Sequence, residues 1–433
     1  SLLEPAVDPG DPAYARHRHT YVWSGRPGLV LRPGSASEVS EALLYARAQN
    51  VPLAVRSGGH GVSGRSTNDG GIVIDLGRLD AVTLLDRSRN LVRIEPGARW
   101  GRVAEILGQH GLAMSSGDYG DVGVGGLATA GGLGFLARKF GLTIDHVVAA
   151  EVVLADGRIV RTDAGTEPDL FWAIRGAGGN FGIVTAFEFE AYELGNVIRA
   201  VQTFDASDTA AFLVNWGRLV EAAPREVTSF LYAFPGQRGP MAQAVSVYAG
   251  DDVDAAAEAL AALGNAGPLR DQRAHIAPYA ALVPLHGGIH GGGNSVIGRS
   301  GLVDHITPEI GAILEEGLKT GAFNLLQFRA VGGAVNDIAP TAMAYAHRTQ
   351  NFSVNAAASA GDEERLDAVW TRLRPHLDGM YLNFETGTHP DRLREAFPPM
   401  TLNRLRALKR RYDPDNVFNT NFNIVPLADA RVA

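Results

Sequence analysis

The chain of 433 residues contains no cysteine. Disulfides, thiolate nucleophiles and cysteine-based zinc or iron–sulfur centres are therefore excluded. It also lacks any apolar run near the ~20 residues that a membrane span needs. The first residues, Ser-Leu-Leu-Glu-Pro-Ala-Val-Asp, have neither the basic nor the apolar region of an export signal, so a cytoplasmic location is expected. Positive charge is in deficit: 39 Lys and Arg against 47 Asp and Glu leave a net charge of -8. General electrostatic attraction to nucleic acid or an anionic membrane is thus missing, and neither is expected as a partner. No HExxH pair occurs among the 12 histidines. His286 and His290, in His-Gly-Gly-Ile-His, fall in a glycine-rich stretch read as a mobile loop, so no metal is expected.

What is present is ample material for a core, with 45% hydrophobic and 20% charged residues. From about residue 28 to 190, short β-rich runs alternate with helical stretches, which predicts an α+β or α/β architecture. Residues 28–33 and 52–56 read as strands, and 37–47 as a helix with Ser37 as its N-cap. Residues 151–160 form a strand–turn–strand pattern with Asp156-Gly157 at the turn, and 169–185 reads as sheet with a glycine-rich insertion. After 195 the texture changes: 244–248 reads as a strand, 254–263 as a helix, and 323–386 as a further strand cluster. This suggests a second domain on an antiparallel sheet. Residues 402–414 read as an amphipathic helix stopped by Pro414, with Lys409-Arg410-Arg411 as its solvated basic end.

Two glycine-rich tracts carry the functional signal. Arg56-Ser57-Gly58-Gly59-His60-Gly61 lies between the apolar runs 51–55 and 70–76 and reads as a glycine hairpin bearing an imidazole. Such a backbone can approach a flat or phosphorylated ligand closely, which suggests a cofactor tether; a surface turn that happens to contain a histidine is the plain alternative. The second tract, 117–141, includes Val122, Val124, Leu127, Leu133 and Phe135 and so has apolar side chains to bury, unlike a flexible linker. It reads as backbone wrapped around a large ligand. Its Gly123-Val-Gly-Gly-Leu-Ala superficially matches a dinucleotide fingerprint, but it follows a loop and has no βαβ frame, so a Rossmann site is rejected.

Together, Arg56–Gly61, Val122-Gly-Val-Gly-Gly126, Gly131-Gly-Leu-Gly134, Glu151–Gly157, Asp169-Leu-Phe-Trp-Ala-Ile-Arg-Gly and Tyr412-Asp-Pro-Asp-Asn-Val-Phe418 resemble the vanillyl alcohol oxidase / p-cresol methylhydroxylase superfamily. The branch resembled is that of the berberine bridge enzyme-like FAD-linked oxidases, including the bacterial 6-hydroxy-D-nicotine oxidase type. The resemblance spans roughly residues 20–190 and 400–426, with Gly332-Gly-Ala-Val and Ala346-His347-Arg348 as landmarks between. It implies an α+β fold: an FAD-binding domain in two parts, 1–195 and 401–433, around a substrate-binding domain, 196–400, with an antiparallel sheet covered by helices.

The resemblance also implies FAD joined covalently to His60. It assigns cofactor binding to Arg56, Ser57, Gly58, Gly59 and Gly61, to Gly117, Val122, Gly125, Gly126, Ala128, Thr129 and Gly131, and to Gly182, Ile183, Asn421 and Asn423. Many members carry a second, cysteinyl link three residues before the position of Val122. Here that position is Tyr119, so a bicovalent flavin is impossible, and Tyr119 should pack on the flavin or face substrate. Val122 stands where a small residue goes with oxidase behaviour. Tyr381-Leu-Asn383-Phe resembles the family's substrate-facing strand, which would place Tyr381 and Asn383 on one face with Tyr381 as the base. A neighbouring strand often bears an acid, but 351–359 has Asn355 there, which puts carboxylate catalysis in doubt; His347 and Arg348 read as structural.

The implied activity is removal of hydride from a C–OH or C–N bond of a bulky small molecule, such as a natural-product intermediate, glycoside or alkaloid-like amine, with O2 reduced to H2O2. A dehydrogenase of the same fold with another acceptor and a non-catalytic flavin-binding protein are the alternatives.

Overall fold

The computed structural model describes residues 6–428 except Arg238, Ile289, Asn294, Ser295 and Thr388. The strands in chain order are β1 (Ala6–Val7), β2 (Leu29–Leu31), β3 (Leu53–Arg56), β4 (Ile72–Asp75), β5 (Val82–Asp86), β6 (Leu91–Ile94), β7 (Leu112–Ala113), β8 (Val147–Val153), β9 (Ile159–Asp163), β10 (Ile183–Glu190) and β11 (Tyr192–Glu193). They continue as β12 (Asn196–Asp205), β13 (Val227–Phe234), β14 (Met241–Tyr248), β15 (Leu269–Pro278), β16 (Val296–Val303), β17 (Leu325–Ala330) and β18 (Phe352–Ser359). The architecture is α+β.

The first sheet has the order β1-β2-β4-β3, with β4 parallel to both β2 and β3. The segment 57–71 that carries His60 is therefore no hairpin. It is a crossover leaving the carboxyl end of a parallel strand, the end beyond which ligands sit in parallel sheets. Helix Ala36–Gln49 packs on this sheet through Val39, Ala42, Leu43 and Ala46. Its N-cap is Ser35, whose side chain accepts from Glu38 N at 3.2 Å, two residues before the expected Ser37.

A second, antiparallel sheet runs β5-β6-β10-β8-β9, and the turn between β8 and β9 falls at Asp156-Gly157 as expected. The expectation of sheet over 169–185 needs correction, because Pro168–Ala177 is helical and only the part from Ile183 is strand. Pro168 at the first helical position and Leu170, Phe171, Trp172 and Ile174 buried around the helix explain why.

The largest sheet is antiparallel, in the order β15-β12-β14-β13-β17-β18-β16. Period-2 alternation separates its faces. Leu326, Phe328 and Ala330 of β17 and Phe352, Val354 and Ala356 of β18 pack under helices Thr209–Ala222, Val253–Leu263, Pro308–Thr320 and Glu363–Leu373. The residues between them point the other way, toward the first two sheets. Of the strand cluster expected over 323–386, only β17 and β18 are strands, and the rest is helix and turn.

Helix Pro399–Tyr412 buries Leu402, Leu405, Leu408 and Tyr412 with Leu170, Phe171 and Ile174. Lys409 is not part of a solvated basic end: it is fully buried, and its Nζ donates to Asp413 Oδ2, Asn180 O and Phe418 O, each at 2.7 Å. Asp413 in turn accepts from Val417 N and Phe418 N, so the turn after the helix is wound around one ion pair. Lys409→Met strands a buried carboxylate and is expected to cost about 3–5 kcal/mol, read as a lower urea midpoint at unchanged slope.

Candidate active site

Beyond β3, Ser57 accepts from Gly125 N at 3.1 Å and donates to Pro96 O, which fastens the His60 loop to the second glycine tract. The two backbones touch: a Cβ at Gly58 would come within 2.3 Å of Gly123 N. The His60 ring is stacked on Tyr21 with centroids 4.1 Å apart, tilted against Tyr119 at 5.2 Å and edge-on to His290 at 5.4 Å. Burial, reinforced by His290 and Arg99, holds its pKa down to about 4, so the ring is neutral at physiological pH. Tyr119 also stacks on His286 at 4.5 Å, so the pair expected in a mobile loop is built into a ring cluster beside His60. Among the described residues no group of three or more His, Asp or Glu could hold a metal.

Tyr381 and Asn383 do meet, but not as residues i and i+2 of a strand. Leu382–Phe384 is a 3-10 turn, and it folds Asn383 back so that its Nδ2 donates to the Tyr381 hydroxyl oxygen at 2.9 Å. Gly132 N donates to the same oxygen at 3.1 Å. The ring seats against Gly131, where φ is +148 and a Cβ would lie 2.9 Å from Tyr381 Cε2. Glu385 anchors the turn, fully buried and accepting from Ser300 N, Gly387 N and Arg392. Burial raises the Tyr381 pKa, against the opposing pull of the Gly132 and Asn383 donors and of Arg329.

The large sheet presents a polar row across three strands, Tyr232 beside Gln327 beside Asn355. Arg329, two residues beyond Gln327, donates to both oxygens of Asp118 at 3.0 and 2.9 Å, and Tyr232 OH donates to Asp118 Oδ2 at 2.8 Å. Arg329 also lies over the Phe384 ring at 4.4 Å.

All these groups border one cavity of about 630 Å³. On its wall are Ser57, Gly58, Gly59, His60, Gly61, Gly117, Tyr119, Val122, Gly125, Gly126, Thr129, Gly182, Ile183, Asn355, Tyr381, Asn383 and Asn421. Four expected cofactor residues do not line it. Arg56 is committed to Asp75, 2.8 Å away, and to the carbonyls of His17 and His19. Ala128 is core, Gly131 lies under Tyr381, and Asn423 is set back from the wall. Sequence reasoning missed Arg65, Asp118, Tyr232, Gln327 and Arg329, all of which line the cavity. For Gln327 and Arg329 a signal existed: polar residues alternating with Leu326, Phe328 and Ala330 mark a strand whose second face is polar yet buried.

Residues 27–163 match the FAD binding domain family and residues 380–425 the berberine and berberine-like family. The chain is 31% identical over 94% of its length, and 93% of the relative's, to the (R)-6-hydroxynicotine oxidase of Paenarthrobacter nicotinovorans. The chain belongs to the berberine bridge enzyme-like FAD-linked oxidases. Among solved structures, a chitooligosaccharide oxidase superposes with TM-score 0.87 at 25% identity over 99% of both chains. The 6-hydroxy-D-nicotine oxidase of Arthrobacter nicotinovorans superposes with TM-score 0.86 at 27% identity over 98% of both.

The cavity of this oxidase fits FAD on physical grounds. Arg65 Nη1, Ser66 Oγ and Asn355 Oδ1 are buried on its wall without a hydrogen-bond partner among the described residues, and Cβ atoms at Gly61 and Gly126 would project into open space. A large ligand with polar edges satisfies both features.

Because the His60 pKa is depressed from 6.5, the unfolded chain takes up this proton first as pH falls. Its contribution to the stability of the flavin-free protein is complete above about pH 6.5 and is lost as pH falls toward 4. Denaturant midpoints across this window should fall less steeply with acid in His60→Ala than in the parent protein.

Proposed function

We propose that this FAD-dependent oxidase carries its flavin on a single covalent link, through the His60 ring. It removes hydride from the carbon of a C–OH or C–N bond in a bulky small molecule and passes the electrons to O2, forming H2O2. The observation that carries this reading is one cavity bordered by a neutral His60 on one side and by Tyr381, Asn383 and Asn355 on another. FAD, when bound, supplies the two-electron acceptor for the hydride.

The chain's own groups divide the remaining work. The sheet 196–359 offers Tyr232, Gln327 and Asn355 to orient substrate, while the parts around β2–β4 and the C-terminal segment hold the cofactor. Tyr381 takes the hydroxyl or amine proton as the hydride departs, and the Gly132 and Asn383 donors receive the negative charge that its oxygen must bear beforehand. No carboxylate is needed, which accommodates Asn355. Val122, on the cavity wall, leaves room for O2.

The names of the relatives include a hydroxynicotine and a chitooligosaccharide oxidase. The lining here favours a neutral hydroxylated substrate, since Asp118 is already neutralised by Arg329. Amines and sugars should both be screened for peroxide release.

Acid-precipitated protein should retain its yellow colour and a mass increment of one FAD, both abolished by His60→Ala; flavin left in the supernatant would refute the link. With a substrate in hand, Tyr381→Phe should slow flavin reduction about 10²–10⁴-fold in stopped flow. Because burial keeps the phenol protonated near neutral pH, the reduction rate should rise as pH is raised. Asn383→Leu removes a donor to the charged form, raises the phenol pKa, and should shift that rising limb upward by about one pH unit.

A further inference from the structure

The glycine-rich segment 283–293 between β15 and β16 is not used by the chemistry above. Its described residues reach the His60 loop. His286 N donates to Asp121 Oδ1 at 3.0 Å, Gly293 N donates to Val22 O at 3.1 Å, and His290 Nε2 lies 3.0 Å from Gly58 O. A carbonyl can only accept, so this His290 nitrogen bears the proton. The Gly58 carbonyl accepts from Arg99 Nη1 as well, at 2.5 Å. Two donors from distant parts of the chain therefore hold one carbonyl, two residues before His60. Between them sits Gly59 with φ +65, a residue free to pivot unless its neighbours are held. On the far side of this joint, the His60 ring rests on Tyr21 and meets the His290 ring edge-on.

We propose that His290 is a positioning residue for flavin attachment: its Nε2–H, bonded to the Gly58 carbonyl, fixes the loop that aims the His60 ring at the flavin. This rests on the reading of His60 as the tether. In the attachment step a bond forms between a His60 ring nitrogen and the flavin methyl carbon, while one methyl C–H and one imidazole N–H break. Both protons go to water. The two electrons reduce FAD itself and are then taken up by O2, which with two protons becomes H2O2. The step needs the neutral ring that the site maintains and a fixed approach of the two reacting atoms. His290 comes from the segment that follows β15 of the substrate-facing sheet, so the loop is fully held only when that sheet is folded against the flavin-binding part.

The test uses full-length protein produced under riboflavin limitation, then incubated with FAD in air while intact mass is followed. His290→Gln keeps an N–H donor, whereas His290→Phe keeps the ring and deletes the donor. Gln should gain the FAD mass within about twofold of the parent rate and Phe about tenfold more slowly. In a His60→Ala background, adding His290→Phe should leave the Kd for non-covalent FAD unchanged. Equal rates for Phe and the parent overturn the proposal, as does a Gln variant as slow as Phe or a matching loss of FAD affinity. If Phe does not fold, His290→Met takes its place under the same criteria. A parent protein that gains no mass defeats the His60 tether itself, a result distinct from a parent that links FAD while Phe is unaffected.

Discussion

The carboxylate of Asp118 joins the two walls of the cavity. It sits in the second glycine tract, yet it accepts two hydrogen bonds from Arg329 and one from Tyr232, both on the large sheet. Arg329 is buried, and a guanidinium there without a counterion would carry an uncompensated desolvation cost. The pair therefore fixes more than local geometry. It sets the sheet's polar row on the same cavity as Tyr119 and Val122 and balances the charge of Arg329 there. It also keeps a positive charge near Leu133, whose neighbour Gly132 donates to Tyr381.

That charge matters because the proposed base is a phenol in a dry site. Burial favours the protonated form, and the Gly132 N–H, the Asn383 amide and Arg329 are among the features that oppose it. Each depends on a different constraint. Gly132 is held by the glycine tract, Asn383 by a turn anchored through Glu385, and Arg329 by Asp118. An acid at position 355 would repel a phenolate across the same cavity, so a neutral Asn355 is consistent with base catalysis by Tyr381 alone.

The legible parts of the site were those whose chemistry is written in adjacent residues. His60 among its glycines and the tract around Val122 could be read directly, because close backbone approach demands glycine wherever the neighbours lie. Tyr381 and Asn383 were identified as a pair through the family pattern, but the physical reason was different: a tight 3-10 turn, not strand alternation, brings them together. The parallel pairing of β3 and β4 was hidden because a short apolar run carries no mark of its partner's direction. Lys409 looked solvated because it sits in a basic run, and only Asn180, 229 residues away, and the turn at Asp413 show otherwise. Arg329 and Asp118 lie 211 residues apart, and no local pattern couples them.

A single link of the kind proposed would place demands on the rest of the loop. The chain has no cysteine for a second link, and Tyr119 stacks on His286 instead. The rigidity that a second bond would provide must come from non-covalent contacts. The structure concentrates them near His60: Ser57 bridging Pro96 and Gly125, Arg99 and His290 on the Gly58 carbonyl, and Tyr21 under the ring. These contacts come from the N-terminal segment at Tyr21, the stretch that follows β6, the second glycine tract and the segment beyond β15. Each contact restrains a different point of the loop, so losing one leaves the fold intact while relaxing the aim of the ring nitrogen, which a site that must present one atom in one direction cannot absorb without loss of rate.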